Sequence, residues 1–347
     1  MFSDKNSRVV SAFVGVFLVV GMFVSCAGSN TEPPQSSIKN LKEITKMGFH
    51  STAPAAQMDE LLLIPVDDEI IAVDMCDFSI PWKYAAPPGK NWSCAYITTN
   101  ESEIVAGFEG KGEELVATIS KSGSEKYTSI IENDSSSPVW HLGKWWRMSN
   151  NRIYSEDFFF DIPDSFPRLN VACDLFIYYT LENHIEARDS DGKLYWEAKI
   201  AGQILSLLDL DWALVVQTKN DALFLDPRTG SSFFSLAISG AVKFVNFGND
   251  FLMGEFNRIT CYDREGNRCG TVDTAGIPNS IVTTSDGFVS VMNNQLITFD
   301  QQLNPKQVFS LTPGIHEAFI YGDSIAVSGY SQVFYKSDTS ENGSEIH

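Results

Sequence analysis

The feature that most constrains this chain is a repeat. The pair Asn-x5-Asp recurs as Asn183/Asp189, Asn220/Asp226, Asn257/Asp263 and Asn294/Asp300, in steps of 37 residues, and the next step falls on Ser331/Ser337. A fixed period of that length means one supersecondary unit copied several times. Each copy has the same parts. A short apolar run comes first, such as Leu175-Phe-Ile-Tyr-Tyr179 or Ala213-Leu-Val-Val216. A polar turn follows at the Asn, which tolerates left-handed backbone angles. A second run ends at the Asp, as in Ala222-Leu-Phe-Leu225 or Leu296-Ile-Thr-Phe299, and a further turn leads to an outer strand. That turn carries Gly in three copies (Gly192, Gly230, Gly266), and Asn304 is placed there in the fourth. Short strands at even spacing, punctuated by turns, predict an all-β architecture of stacked four-stranded units, a β-propeller.

The frame extends backwards through Asn151/Asp157, Glu114/Ser120 and Asp68/Asp74, giving marks at 74, 120, 157, 189, 226, 263, 300 and 337. Seven blades follow if Leu61–Asp74 only closes the ring, and eight if it is a blade of its own; eight is favoured. Almost no chain follows Ser337 to form the last outer strand, so an N-terminal segment is expected to supply it. The predicted organisation is a signal segment over 1–25, a flexible tether over 26–57, one propeller over 58–337 and a disordered tail over 338–347.

The start of the chain predicts export. Lys5 and Arg8 precede an apolar run from Val9 to Val24, too short for a typical span of about 20 residues and fitting a signal-peptide core. The run ends in Phe23-Val-Ser-Cys26-Ala-Gly28, similar to a bacterial lipobox. Cys26 is therefore the expected lipidation site, since multiple acyl chains anchor a protein without a spanning helix. No acidic residue follows Cys26 directly, which favours the outer membrane over the inner. The formal net charge is −19; residues 1–25 carry Asp4, Lys5 and Arg8, so the remainder carries −19 − 1 = −20. Such a surface repels phosphate backbones, which argues against a nucleic-acid partner.

Of the six cysteines, Cys261 and Cys269 flank the turn at Asp263–Gly266 and are candidate disulfide partners across a hairpin. Cys76 and Cys94 form a second candidate pair, leaving Cys173 as a small buried hydrophobe. No spacing matches a zinc motif, and no metal is expected. The histidines His50, His141, His184, His316 and His347 are scattered. There is no nucleophile elbow and no phosphate loop, and the glycine-rich stretch Gly107–Gly112 is expected to be a solvated turn. The repeat carboxylates, Asp189 to Asp300, are expected to brace turns. The one non-repetitive cluster is Trp140-His-Leu-Gly-Lys-Trp145-Trp146-Arg147. It is either a partner surface, since Trp and Arg anchor interfaces, or packing between blades. Phe158-Phe-Phe160 and Phe166 either extend it or fill the core.

Ala187-Arg-Asp189-Ser-Asp-Gly192-Lys-Leu-Tyr-Trp196 and Leu225-Asp226-Pro-Arg-Thr-Gly230 resemble the repeat of the PQQ-like propellers, Ala-x-Asp-x-x-Thr-Gly-x-x-x-Trp. The resemblance covers residues 165–337 well and 60–160 poorly, with Phe234 standing where the next Trp would be. A lipid-anchored propeller of this kind is similar to the B-subunit lipoproteins of the outer-membrane barrel-assembly machinery. The resemblance implies a non-catalytic periplasmic scaffold that docks other envelope proteins. It implies no binding residue, and neither a quinone nor any other cofactor is expected. The other readings are a glycan-binding or lactonase-like hydrolytic propeller and a surface-exposed adhesin.

Overall fold

The computed structural model of the chain describes residues 41–337, apart from 133–136, 150, 164, 166–167, 241, 313, 315–316 and 330. The described residues form 32 strands and no helix. They make eight four-stranded antiparallel sheets set in a ring, an eight-bladed β-propeller. The blades span 56–85, 93–132, 139–161, 170–199, 206–237, 243–273, 280–310 and 317–337, the last completed by Leu41–Met47. Each of the eight sequence marks lies at or just beyond the end of a blade's third strand, as at Asp74 in Glu69–Asp74 and Ser337 in Gln332–Ser337.

The ring closes through Leu41–Met47, which pairs antiparallel with Gln332–Ser337 from Leu41 opposite Ser337 to Met47 opposite Gln332. The backbone N–H of Leu41 also donates to Gln307 Oε1 of blade 7 at 2.8 Å. Within the stretch 26–57 expected to be a tether, residues 41–47 are the closing strand and Ala56–Met58 begins blade 1; residues 26–40 lie outside the described residues. Only Leu41 of the closing strand is buried. This outermost strand has no buried residue after Leu41 to announce it. Cys26 and the tail from 338 lie outside the described residues.

The middle strands are covered on both faces by neighbouring blades, so they are apolar throughout rather than alternating. Leu175–Tyr179 and Gly287–Met292 are buried at every position. The outer strands Ser232–Ala237, Arg268–Asp273 and Pro305–Ser310 share one half-exposed alternation. Where the third and fourth strands pair, a β-bulge falls at Ala187/Arg188, Phe224/Leu225, Cys261/Tyr262 and Thr298/Phe299, again 37 residues apart. A bulge adds one residue on one strand and increases twist. The repeat thus fixes backbone irregularities as well as side chains.

The Asn of each repeat lies where the second strand turns into the third. Asn183, Asn257 and Asn294 have φ of 60°, 63° and 57°. The backbone carbonyls of all four accept from the end of their own blade's outer strand, from Ile200, Ile238, Thr274 and Leu311, at 2.7 to 3.0 Å. At the next turn the Asp carboxylates accept backbone N–H groups. Asp263 Oδ1 takes Glu265 and Asn267 at 3.0 and 2.8 Å, and Asp300 Oδ1 takes Gln302 and Asn304 at 3.0 and 2.8 Å.

Adjacent blades are keyed at that same turn. Gly230 has φ +70°, and a Cβ there would lie 2.6 Å from the ring of Trp196, on the outer strand of the preceding blade. Trp196 Nε1 donates to Pro227 O in that turn at 3.0 Å. Phe160 stands against Gly192 and Phe234 against Gly266 in the same way. Trp82 repeats the arrangement on Gly123 and donates to Lys121 O at 2.9 Å. Between blades 6 and 7 the two partners exchange sizes. Leu303 takes the left-handed turn position at φ 66°, and the outer strand opposite offers Gly270. The turn residue replacing glycine is thus Leu303, not Asn304. Asn304 instead bonds Asp300 through its backbone and side chain.

Seven apolar clusters fill seven of the eight seams between blades, including the closing seam, where Leu62, Ile64 and Val73 meet Phe319 and Phe334. The seam between blades 2 and 3 is built differently.

Candidate functional surface

At the seam of blades 2 and 3, Arg147 Nη2 lies 2.6 Å from Glu114 Oε1, and both residues are buried. Tyr96 Oη bridges them, donating to Glu114 Oε1 at 2.5 Å and accepting from Arg147. Gly107 makes room, since a Cβ there would collide with the Tyr96 ring. Burial pushes the Tyr96 phenol well above its ordinary range, and Arg147 opposes the shift. The Trp140–Arg147 cluster therefore divides. Trp146 is core: it lies 4.7 Å from the Phe176 ring, and its Nε1 donates to His141 O at 3.1 Å. Arg147 is spent on the seam. Trp145 is half-buried and donates to Glu103 of blade 2 at 3.2 Å, with Trp140 edge-on at 5.1 Å. Of the Phe158–Phe160 run, Phe158 and Phe159 are exposed and Phe160 is half-buried; Phe166 lies outside the described residues.

Blade 4 holds a second polar set. Tyr178 Oη donates to Glu186 Oε2 at 2.6 Å, and Arg188 Nη2 lies 2.7 Å from the same oxygen. Both sets are closed on themselves, so neither offers a free acid or base. His141 is buried, sits edge-on to Phe176, and has its pKa lowered by burial. His184 is half-buried, and His316 and His347 are outside the described residues. On the innermost strands, burial lowers the Lys243 pKa and raises that of Glu317, each partly offset by the other's charge. Gly107 and Gly110 lie within the strand Glu103–Gly110; the turn expected there is confined to Lys111-Gly112.

The five described cysteines are free thiols. The Cys261–Cys269 disulfide is not formed, because the bulge shifts the register: Cys261 faces Gly270 and Tyr262 faces Arg268, leaving Cys269 unpaired between them. Burial pushes the Cys261 thiol up to about 12, with Asp250 adding to it. Cys76 is exposed while Cys94 is buried, and they are not joined either. Cys173 is exposed rather than buried, at φ 51° in a hairpin turn.

Antiparallel alternation sends the first and third turns of every blade to one end of the ring, and the second turn and the link to the next blade to the other. The first end is acidic. Asp59, Glu60, Asp77, Asp191, Asp226, Asp263, Glu265, Asp286 and Asp323 lie there, against Lys121, Lys193, Arg228 and Arg264. The second end is close to neutral, with Asp67, Asp68 and Glu182 set against Lys90, Lys111 and Lys219. It also exposes large apolar side chains on blades 4 to 7: Leu181 (56%), Leu205 (43%), Phe256 (59%) and Ile277 (40%). The acidic end also exposes Ile80, Leu142 and Phe158, but on the second end such side chains stand without an excess of one charge around them, which favours contact with another macromolecule. Leu41 lies at the acidic end, opposite Ser337. Sequence reasoning missed this polarity because it depends on strand direction around the whole ring.

No protein-family profile matches the chain, and no curated protein matches its sequence. Solved structures do match in fold. BamB from Moraxella catarrhalis aligns at TM-score 0.64 and 12% identity, over 86% of this chain and all of that one. The computationally designed Ika8 protein aligns at 0.64 and 11% identity, over 87% of this chain and 99% of that one. A chain of the mitotic checkpoint complex aligns at 0.52 and 13% identity, over 96% of this chain and all of that one. At such identities the likeness is one of fold.

Proposed function

We propose that this chain is a lipid-anchored scaffold of the bacterial envelope that binds other proteins through the neutral end of its ring. The observation that carries the reading is the polarity of that ring. Its acidic charge is concentrated on the end where Leu41 enters, which also exposes Ile80, Leu142 and Phe158, whereas Leu181, Leu205, Phe256 and Ile277 are exposed on the other end, where acidic and basic residues balance. With Cys26 acylated, 15 Cα steps separate the anchor from Leu41, a reach of about 50 Å when fully extended. The tether joins the ring at its acidic end, and an anionic leaflet holds that end off the surface by repulsion within a Debye length of about 8 Å. The neutral end is left free for partners. The two Tyr-Glu-Arg sets are internally paired, which favours recognition over catalysis at those places. The likeness to BamB and the PQQ-like repeat support an envelope assembly role, with outer-membrane protein assembly the process they suggest.

The test is a crosslinked isolation of the lipidated chain from its native envelope, with partners identified by mass spectrometry. It is run alongside a chain carrying Leu205→Asp and Phe256→Asp, both at exposed positions. Recovery of a defined set of envelope proteins that the double variant loses supports the reading. A variant that recovers the same set, or a chain that recovers none, refutes it.

A further inference from the structure

Blade 6 brings three ligand-type side chains together at the acidic end. Asp250 begins the second strand (Asp250–Glu255), Cys261 lies near the end of the third (Arg258–Tyr262), and Cys269 near the start of the fourth (Arg268–Asp273). One ligand atom of each lies within 4.8 Å of the other two. Cys261 Sγ is 4.0 Å from Asp250 Oδ2. We propose that these three side chains form a thiolate-carboxylate site for a divalent zinc-like cation.

The spacing suits such an ion. Zinc binds thiolate sulfur at about 2.3 Å and carboxylate oxygen at about 2.0–2.2 Å in tetrahedral geometry. Those bonds place neighbouring ligand atoms about 3.6–3.8 Å apart, so the three need to draw together only slightly. The bulge that separates the thiols from disulfide register is also what sets Cys269 beside Cys261 without facing it. Asp250 makes no ion pair among the described residues, so its charge is uncompensated locally. The oxygens of Asp263 are engaged by Glu265 and Asn267, so it contributes field and not a bond. Cys261 is buried and Cys269 exposed, leaving the fourth position open to water, as in sites with three protein ligands. Two thiolates select against calcium and magnesium, which prefer oxygen donors. Such an ion would tie three strands of blade 6 together and hold both thiols away from oxidation.

The test uses the chain with Cys26→Ser, kept reduced by a phosphine, and zinc as the probe in competition with a chromophoric chelator. Cobalt serves as a second probe, reporting sulfur ligation through its charge-transfer band. One equivalent of zinc is expected. Affinity should fall at least tenfold in Asp250→Asn and in Cys269→Ser, since even outer-shell changes cost about 10–100-fold. Cys269 is exposed, so its variant should fold, with an unchanged circular dichroism spectrum. A Cys76→Ser/Cys173→Ser chain, altered at the other exposed thiols, should bind as before. Three results would each overturn the proposal: no stoichiometric zinc, affinity unaffected by Cys269→Ser, or a Cys261–Cys269 disulfide in peptides from the chain taken from its own compartment.

Discussion

Replacing Trp196 by Ala removes a buried indole that keys blade 4 to blade 5. Truncating a buried Trp or Phe to Ala costs about 3–5 kcal/mol. The loss also strands Pro227 O, whose bond from Nε1 at 3.0 Å is buried, adding about 1 kcal/mol. A total of about 4–6 kcal/mol is a large part of the roughly 5–15 kcal/mol that stabilises a typical protein. Trp196→Phe should cost about 1–2 kcal/mol, because Phe234 and Phe160 fill the equivalent places in other blades. The keying itself is read from a double-mutant cycle with Gly230→Ala. In the native background the added Cβ meets the indole at 2.6 Å and sits at φ +70°, costing the clash, about 1–3 kcal/mol, plus the left-handed backbone, about 1–2 kcal/mol. In the Trp196→Ala background only the backbone part remains. Chemical denaturation of the four chains gives the coupling. The reasoning fails if the two costs add to within about 0.5 kcal/mol, or if Trp196→Ala costs under about 1 kcal/mol.

The buried Arg147–Glu114 pair predicts that Arg147→Met alone destabilises by about 3–5 kcal/mol, by leaving Glu114 uncompensated. Arg147→Met with Glu114→Leu should recover most of that loss, as thermal or denaturant melts would report. Burial raises the Asp209 pKa to about 6 from its ordinary 3.8. The folded state therefore binds the extra proton, and stability falls as pH rises from about 4 to 6. Asp209→Asn should then stabilise the chain at pH 7.5 by about 1–2 kcal/mol, discounted for partial exposure. The gain should vanish below pH 4, which paired melts at the two pH values would check. Truncation before Leu41 should leave the melt unchanged, whereas truncation before Gly48 removes the closing strand and leaves Gln332–Ser337 an open edge. The shorter chain should associate or unfold, as size-exclusion chromatography would reveal.

Blade number and blade boundaries were legible because the period is carried by turns, and turn chemistry is local. Asn and Asp act within a few residues of themselves, so all eight marks find their place, even in blades 1 to 3 where other similarity is faint. The closing strand was less legible because Leu41 is its only buried residue, and its partner is almost 300 residues away. The second Trp key, Trp82 on Gly123, stands eight residues after Asp74, as Phe234 does after Asp226, but the turn between them lacks the Thr-Gly that marks the repeat. The Trp140–Arg147 cluster looked like one surface. Register instead sends Trp146 into the blade 3–4 core and Arg147 toward blade 2, a division set by tertiary pairing and not by composition. The cysteine hairpin was found, but the bulge that takes its two cysteines out of cross-strand register repeats in the backbone without a residue signature.

The claim that one end of the ring receives partner proteins is tested most directly by photo-crosslinking in the native envelope. A benzophenone side chain is placed at Phe256 or Leu205 on the neutral end, and at Glu265 or Gln302 on the acidic end. The account predicts protein adducts from the first two positions and none from the others. Adducts only from the acidic end, or none from any position, would contradict it.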